Sequence, residues 1–318
     1  MQSAERLTKQ VCGKRRGLSV MGGTVMKIKK TKGRYLFEIL NTLFMIFLMI
    51  ITIYPVIYIL MASISEPMAF SLHRGILLKP LGFTLVAYQK AFSHPQIMGA
   101  YANTLFIVVT GVTINILLTS IGAYFLSRKN VLFKKQVTLF IVFTMFFSGG
   151  MIPTYFTVKD LGLTDTLWAL IIPNAINTFN LMVMRTGFEA VPVSLEESAR
   201  IDGAGHFSIL FKIVFPLSLP TVAVMVLYYG VAHWNSWFNA MIYIDSTERW
   251  PLQLVLRQIL LVNDTQSMTM GVDEGSQMAV SETIKYATIV IATLPILCVY
   301  PFLQKYFVNG VMVGAVKG

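Results

Sequence analysis

Residues 196–207 read Glu-Glu-Ser-Ala-Arg-Ile-Asp-Gly-Ala-Gly-His-Phe, and five of these twelve side chains carry or share a charge. Carboxylates and a guanidinium at this spacing suit ion pairs, helix capping or contact with another charged surface. They make no catalytic set, because no nucleophile stands with both a base and an orienting acid. A second group comprises Asn174, Asn177, Asn180, Tyr228, Tyr229, His233, Trp234, Asn235, Trp237 and Asn239. Amides both donate and accept hydrogen bonds, and aromatic rings stack on the apolar faces of polyhydroxylated rings. Runs 166–184 and 213–244, which hold this group, contain no Asp, Glu, Lys or Arg, which favours a neutral, hydroxyl-rich ligand over an ionic one. Helix–helix hydrogen bonding for the asparagines and interfacial anchoring for Trp234 and Trp237 are the other roles open to them.

The elements that must position these residues are apolar. The chain of 318 residues is 55% hydrophobic and only 13% charged, and its charges are segregated into blocks. Stretches of about 20 residues without a charge are long enough to cross a bilayer as helices, where each segment must satisfy its own backbone amides. They predict an all-α polytopic membrane protein with six spans, at 39–63, 102–127, 137–158, 166–187, 216–240 and 285–305. Ten Lys and Arg precede the first span, in residues 1–38, and Arg128, Lys129, Lys134 and Lys135 lie between the second and third with no acid. The connection 241–284 is acidic instead, with Asp245, Glu248, Asp264, Asp273, Glu274 and Glu282. Positive charge marks the cytoplasmic side. Both termini, the loop 188–215 and the tail 306–318 are therefore expected in the cytoplasm, and loops 64–101 and 241–284 outside it.

The net charge of +11 sits mostly in the N-terminal tail, which reads as a topology signal and a contact for anionic lipid headgroups, with no nucleic-acid role. No phosphate-binding G-x-x-x-x-G-K-[ST] loop, H-E-x-x-H motif or Cys/His cluster of metal spacing occurs. Cys12 and Cys298 form no disulfide framework, and Cys298 is expected as a small packing residue. No carboxylate lies in the six spans, so the coupling group of an ion-driven carrier is missing. No catalytic residue, metal or cofactor is expected on this chain, and energy for uphill movement must come from another subunit.

In the charged stretch, Ser194 and Glu197 have capping-box spacing, predicting a helix from Leu195. Gly203 closes it near Asp202, Gly205 gives a second break, and a new apolar helix runs from His206 to Pro216. Arg200 and Asp202 are equally suited to a pair within the loop and to a partner contact. The segment Trp250-Pro251-Leu252-Gln253-Leu254 is placed outside, as a docking surface or an ordinary capping loop.

Glu197-Ser198-Ala199-Arg200-Ile201-Asp202-Gly203, followed by Ile213-Val214-Phe215-Pro216, resembles the EAA loop of binding-protein-dependent ABC importer permeases. Ser198 replaces an alanine and Phe215 a leucine of that pattern, keeping size and apolarity. Asn103-Thr104-Leu105 and the tail from Gln304 to Gly318 resemble the sugar branch, the smaller maltose-type permease subunit in particular. The resemblance implies a subunit without ATPase activity in the bacterial cytoplasmic membrane. Its implied partners are a second permease subunit, a cytosolic ATPase dimer that binds ATP and Mg, and an extracytoplasmic solute-binding protein. Contact with the ATPase is implied for Glu197, Ser198, Ala199, Asp202, Gly203, Ile213 and Pro216, and for Gly314 and Lys317 in the tail. Asn174, Asn177, Tyr228, Tyr229, Trp234 and Asn235 are the candidates for the solute pathway. An ABC permease for another solute and a self-sufficient secondary carrier are the alternatives.

Overall fold

A computed structural model of the chain describes residues 32–93, 95–129, 131–269 and 275–315. Regular structure among them is helical, and the one extended pairing is an isolated antiparallel bridge between Ser65 and Phe83. The all-α expectation holds.

The chain forms two compact units, residues 1–54 and 55–318. The described part of the first belongs to α1, Lys32–Ser63. Its large apolar side chains, such as Phe37, Phe44 and Ile50, are exposed. Thr42 and Thr52 return their hydroxyls to the carbonyls of Glu38 and Leu48, at 2.7 and 2.9 Å. That back-bonding suits a helix surface with no water to satisfy a hydroxyl.

The second unit continues through α2 (Pro67–Leu72), α3 (Val86–Phe92), α4 (Pro95–Ser127), α5 (Lys134–Phe146), α6 (Met151–Asp160) and α7 (Trp168–Ile171). After these come α8 (Thr178–Glu189), α9 (Val193–Ile201), α10 (His206–Leu217), α11 (Leu219–Trp234), α12 (Phe238–Tyr243), α13 (Leu252–Thr269) and α14 (Gly275–Ala315). Helix α4 is the central rod. Its Ala123, Tyr124 and Leu126 pack with Leu181, Met184 and Phe188 of α8 and with Val222, Met225 and Tyr229 of α11. Glycine lets these helices approach closely, as small residues do where lipid gives no hydrophobic drive for association. A Cβ on Gly187 would lie 2.5 Å from Thr221 Oγ1, and one on Gly111 would lie 2.6 Å from His233 Nε2. At the other end of α4, Asn103 donates to the carbonyls of Glu248 and Trp250, at 2.8 and 3.2 Å. Thr104 Oγ1 accepts the Leu252 amide at 2.8 Å. The Asn103-Thr104 pair thus lies inside the helix, where it pins the start of α13.

Several expected spans are broken. Three described helices are long and apolar enough to cross a membrane: Lys32–Ser63, Pro95–Ser127 and Ala279–Val299 within α14. The expected 137–158 segment bends by 113° between α5 and α6. Ser148-Gly149-Gly150 forms the break, with Gly150 at φ 87°. Helices α10 and α11 meet at 88°, beside Pro216 and Pro220. The 166–187 segment is divided at Pro173, whose missing amide hydrogen ends α7 in a short 3-10 turn, Ile172–Asn174. Cys298 is exposed and free, not a packing residue. Trp250-Pro251-Leu252-Gln253-Leu254 turns inward, with Pro251, Leu252 and Leu254 buried, so these side chains offer no docking surface.

The α6–α7 and α12–α13 connections are joined through Asp165, in the left-handed region at φ 56°, which aspartate tolerates better than most residues. Its amide donates to the Tyr243 carbonyl at 2.7 Å. Its carboxylate accepts from Ser246 N and Oγ, at 2.9 and 2.7 Å, and from Arg249 Nη1 at 2.8 Å. The Ser246 hydroxyl and amide, with Arg249 adding to them, hold the Asp165 carboxyl below its ordinary range. A depressed folded value means that the clamp's contribution is complete above the unfolded aspartate value of about 3.9 and is lost only as pH falls through the lower folded one. The carboxyl carbon of Asp165, followed by NMR, should therefore titrate below the ordinary aspartate midpoint, and Ser246→Ala should move that midpoint upward.

Candidate functional site

The charged stretch folds as two helices around a glycine turn. Helix α9 begins at Val193, directly after Pro192, whose ring fixes φ at −57° and ends the preceding turn. This is two residues earlier than the Ser194–Glu197 spacing predicts, and the capping box does not form. Ser194 lies inside the first turn, and its carbonyl accepts from Ser198 Oγ at 3.0 Å. The other end behaves as expected. Gly203 takes φ 79°, its amide donates to Arg200 O at 3.0 Å, and the Ala204 amide donates to Ala199 O at 2.9 Å. These two bonds are the Schellman closure, which needs a residue able to adopt positive φ. Helix α10 then starts after Gly205 and widens into a π-turn over Leu210–Val214.

Helix α9 has two unlike faces. Glu196 is 4% exposed, and Ala199 packs against the α4–α8–α11 core. Glu197, Ser198, Asp202 and Gly203 are exposed, and Ile201 and, just past the turn, Phe207 are 87% and 68% exposed. Ile213 is half-buried and Pro216 exposed, while their neighbour Val214 enters the core. Gly314 falls in the last turn of α14, and Lys317 lies outside the described residues.

The buried carboxylate was not among the expected site residues. Glu196 forms an ion pair with Arg128 Nη1, accepts from Arg200 Nη2 at 2.6 Å and accepts the Tyr124 hydroxyl at 3.2 Å. Arg128 also donates to Phe188 O and to Ser127 Oγ, both at 3.0 Å, and its guanidinium lies 4.9 Å from the centre of the Tyr124 ring. Tyr124 Oη is 3.4 Å from His206 Nδ1. One acid therefore joins the ends of α4 and α8 to α9 and α10. Its signal in the sequence is the Glu196–Arg200 i,i+4 spacing, with an arginine one residue beyond α4. A 960 Å³ cleft opens beside it, lined among others by Phe125, Lys129, Glu197 and Phe207.

A second cavity, of 310 Å³, brings together Asn174, Asn177, Asn180, Tyr229, His233 and Asn235, with Trp237 and Asn239 also on its wall. It forms where the chain between α7 and α8 leaves the α-helical path. Irregular backbone at membrane depth needs partners from elsewhere in the protein. Asn115 of α4 supplies them, donating Nδ2 to the carbonyls of Asn174 and Ala175, at 2.7 and 2.9 Å. Its Oδ1 then faces His233 Nε2 at 2.7 Å, so that ring nitrogen carries the proton. Tyr229 Oη accepts the Asn177 amide at 3.1 Å and meets Thr119 Oγ1 at 2.8 Å. Asn177 Oδ1 caps α8 by accepting the Asn180 amide at 3.1 Å.

Two pathway candidates do not belong to this cavity. Trp234 is buried against α14, donating Nε1 to Ala292 O at 3.0 Å. Tyr228, adjacent in sequence to Tyr229, turns about 100° away on the helix and is not on the cavity wall. Asn115 and Thr119 are the residues missed; their sign is a polar pair, one turn apart, in an apolar run. Among the described residues no group of three His, Cys, Asp or Glu side chains could hold a metal.

The family model described as "binding-protein-dependent transport system inner membrane component" matches residues 131–313. The polygalacturonan/rhamnogalacturonan transport system permease protein YtcP of Bacillus subtilis (strain 168) is 42% identical over 283 residues, 89% of this chain and 99% of that protein. The maltodextrin transport system permease protein MdxG of the same organism is 27% identical over 292 residues, 90% and 98% of the two chains. A chain in the crystal structure of a bacterial ABC transporter involved in the import of the acidic polysaccharide alginate superposes with a TM-score of 0.80 at 33% identity, covering 87% of this chain and 99% of that one.

Removing one partner of a buried ion pair costs up to about 3–5 kcal/mol, and loss of Arg128 leaves the Glu196 carboxylate to Arg200 and Tyr124 alone. Arg128→Met should therefore lower the thermal unfolding temperature in detergent more than the double variant Arg128→Met/Glu196→Gln does. Asn115→Ala leaves two part-buried carbonyls without their donor and should cost about 1 kcal/mol, read by the same measurement.

Proposed function

The chain belongs to the binding-protein-dependent transport system inner membrane component family, and from that premise we propose that it is one of two membrane subunits of an ATP-driven importer of uronic-acid-containing oligosaccharides. It is a transport subunit. A permease named for polygalacturonan, a polymer of a uronic acid, is 42% identical to it, and a chain from an importer of acidic alginate is 33% identical. In this reading the chain crosses the bacterial cytoplasmic membrane six times with both termini inside. A separate cytosolic ATPase dimer binds ATP and Mg, and an extracytoplasmic protein delivers the solute.

The observation that carries the reading is the two-faced helix α9. Its inner face is fixed by Glu196 and Ala199, and its outer face leaves Glu197, Ser198, Ile201 and Asp202 free for another protein. Exposed apolar side chains beside charges are what a protein interface offers. Closure of the ATPase dimer on ATP would move α9 and α10 together, because the Schellman turn and the Glu196 network make them one body. Arg128 would pass that motion to α4. Asn115 and Thr119 on α4 hold the unwound segment and Tyr229, and so would change the asparagine-lined cavity. The solute-contact set is Asn174, Asn177, Tyr229 and Asn235. Gly314 and Lys317 extend the ATPase contact in the tail.

Two substitutions separate contact from geometry. Glu197→Lys reverses a charge on the free face, and Gly203→Val places a β-branched residue at φ 79°, where a Cβ meets no atom but the backbone is strained. Both should abolish co-purification of the ATPase and reduce oligosaccharide uptake at least tenfold, while thermal stability of the isolated subunit falls only for Gly203→Val. Wild-type co-purification and uptake in both variants would refute α9 as the coupling element.

A further inference from the structure

The cavity wall holds no charge, yet one touches a residue of that wall. Arg257 of α13 places its guanidinium carbon 4.4 Å from the centre of the Trp237 ring, and Trp237 lines the cavity with the asparagines. The guanidinium makes a weak polar contact, from Nη1 to Met241 Sδ at 3.3 Å. No carboxylate pairs with it among the described residues, although Arg128, Arg185, Arg200 and Arg249 each have an acid within 4 Å. Arg257 is half-buried as a residue, but its guanidinium end is exposed and keeps donors open to a ligand.

Stacking on an indole satisfies a guanidinium's faces and leaves the in-plane N–H fork free. That fork matches a carboxylate with two parallel hydrogen bonds. On the cavity wall, Asn235 and Asn239 present amides suited to hydroxyls, and Trp237 presents an aromatic ring. A sugar ring bearing both hydroxyls and a carboxylate combines these needs.

We propose that Arg257, held flat against Trp237, is the specificity-determining residue that recognises a uronate carboxylate as the saccharide passes the asparagine-lined cavity. This rests on the importer reading above and names the group that separates acidic from neutral saccharides. It also revises the neutral ligand expected from the spans. The charge that matters comes from α13, outside the apolar runs, and reaches the cavity wall through a tryptophan.

The test uses the whole transporter, with its second permease, ATPase and binding protein, in proteoliposomes. Uptake of oligogalacturonate and of its methyl ester is measured at concentrations that saturate the binding protein, so that delivery does not set the rate. Arg257→Gln should lower uptake of the acid by about tenfold to a hundredfold, the range for losing a hydrogen bond to a charged group, and leave uptake of the ester within about twofold. Arg257→Lys should recover part of the loss, because charge is kept but the fork is not. Equal losses on acid and ester, or an unchanged acid-to-ester ratio, would overturn the assignment while leaving the importer reading in place. Wild-type transporter that moves neutral oligosaccharides but not the acid would instead overturn the substrate class itself.

Discussion

The ion pair between Glu196 and Arg128 is the constraint on which the rest of the second unit depends. A carboxylate taken out of water must be matched almost completely, because the desolvation cost of an unpaired charge exceeds what any single packing contact returns. Glu196 is matched by Arg128 and Tyr124 from the end of α4 and by Arg200 one turn further along α9 itself. The position of α9 is therefore set by a requirement, and it cannot slide along the end of α4 without stranding a charge. An amphipathic helix held only by apolar contacts would have several nearly equivalent seats.

Helix α4 carries this constraint inward. Arg128 follows its last turn, Thr119 and Asn115 lie at successive turns towards its middle, and Asn103 and Thr104 lie near its start. Each of these residues holds backbone or a side chain of a different element. The rod between them is mostly apolar and packs closely at Gly111 against His233. One continuous helix thus reaches α9 and α10, the unwound segment beside the cavity, and the start of α13.

The irregular places are where the polar chemistry is concentrated. Breaks at Ser148-Gly149-Gly150, at Pro173 and beside Pro216 free backbone groups that must be satisfied by something other than the helix itself. At Pro173 the satisfying groups are Asn115 and Tyr229, and the same arrangement opens the cavity. Loss of regular hydrogen bonding and creation of a polar site are one event there, as expected where non-helical backbone lines a cavity within a membrane protein.

The sequence by itself determined the helical class, the apolar runs, the glycine closure at Gly203 and the family-like loop, because these follow from local rules: hydropathy over a window, and a φ that only glycine adopts cheaply. It also marked Asn174, Asn177, Tyr229 and Asn235, which the structure gathers around one cavity. Tertiary structure decided which member of each neighbouring pair faces inward. Glu196 and not Glu197 is buried, Tyr229 and not Tyr228 lines the cavity, and Trp234 packs on α14 while Trp237 meets the cavity. Adjacent residues on a helix point about 100° apart, so their roles turn on where the partner helix lies. Asn115 and Arg257 show the same limit over longer range, since their partners are 59 residues away in one case and in the connection before α12 in the other. Pairings of that kind are fixed by packing between helices, which no local spacing in the chain encodes.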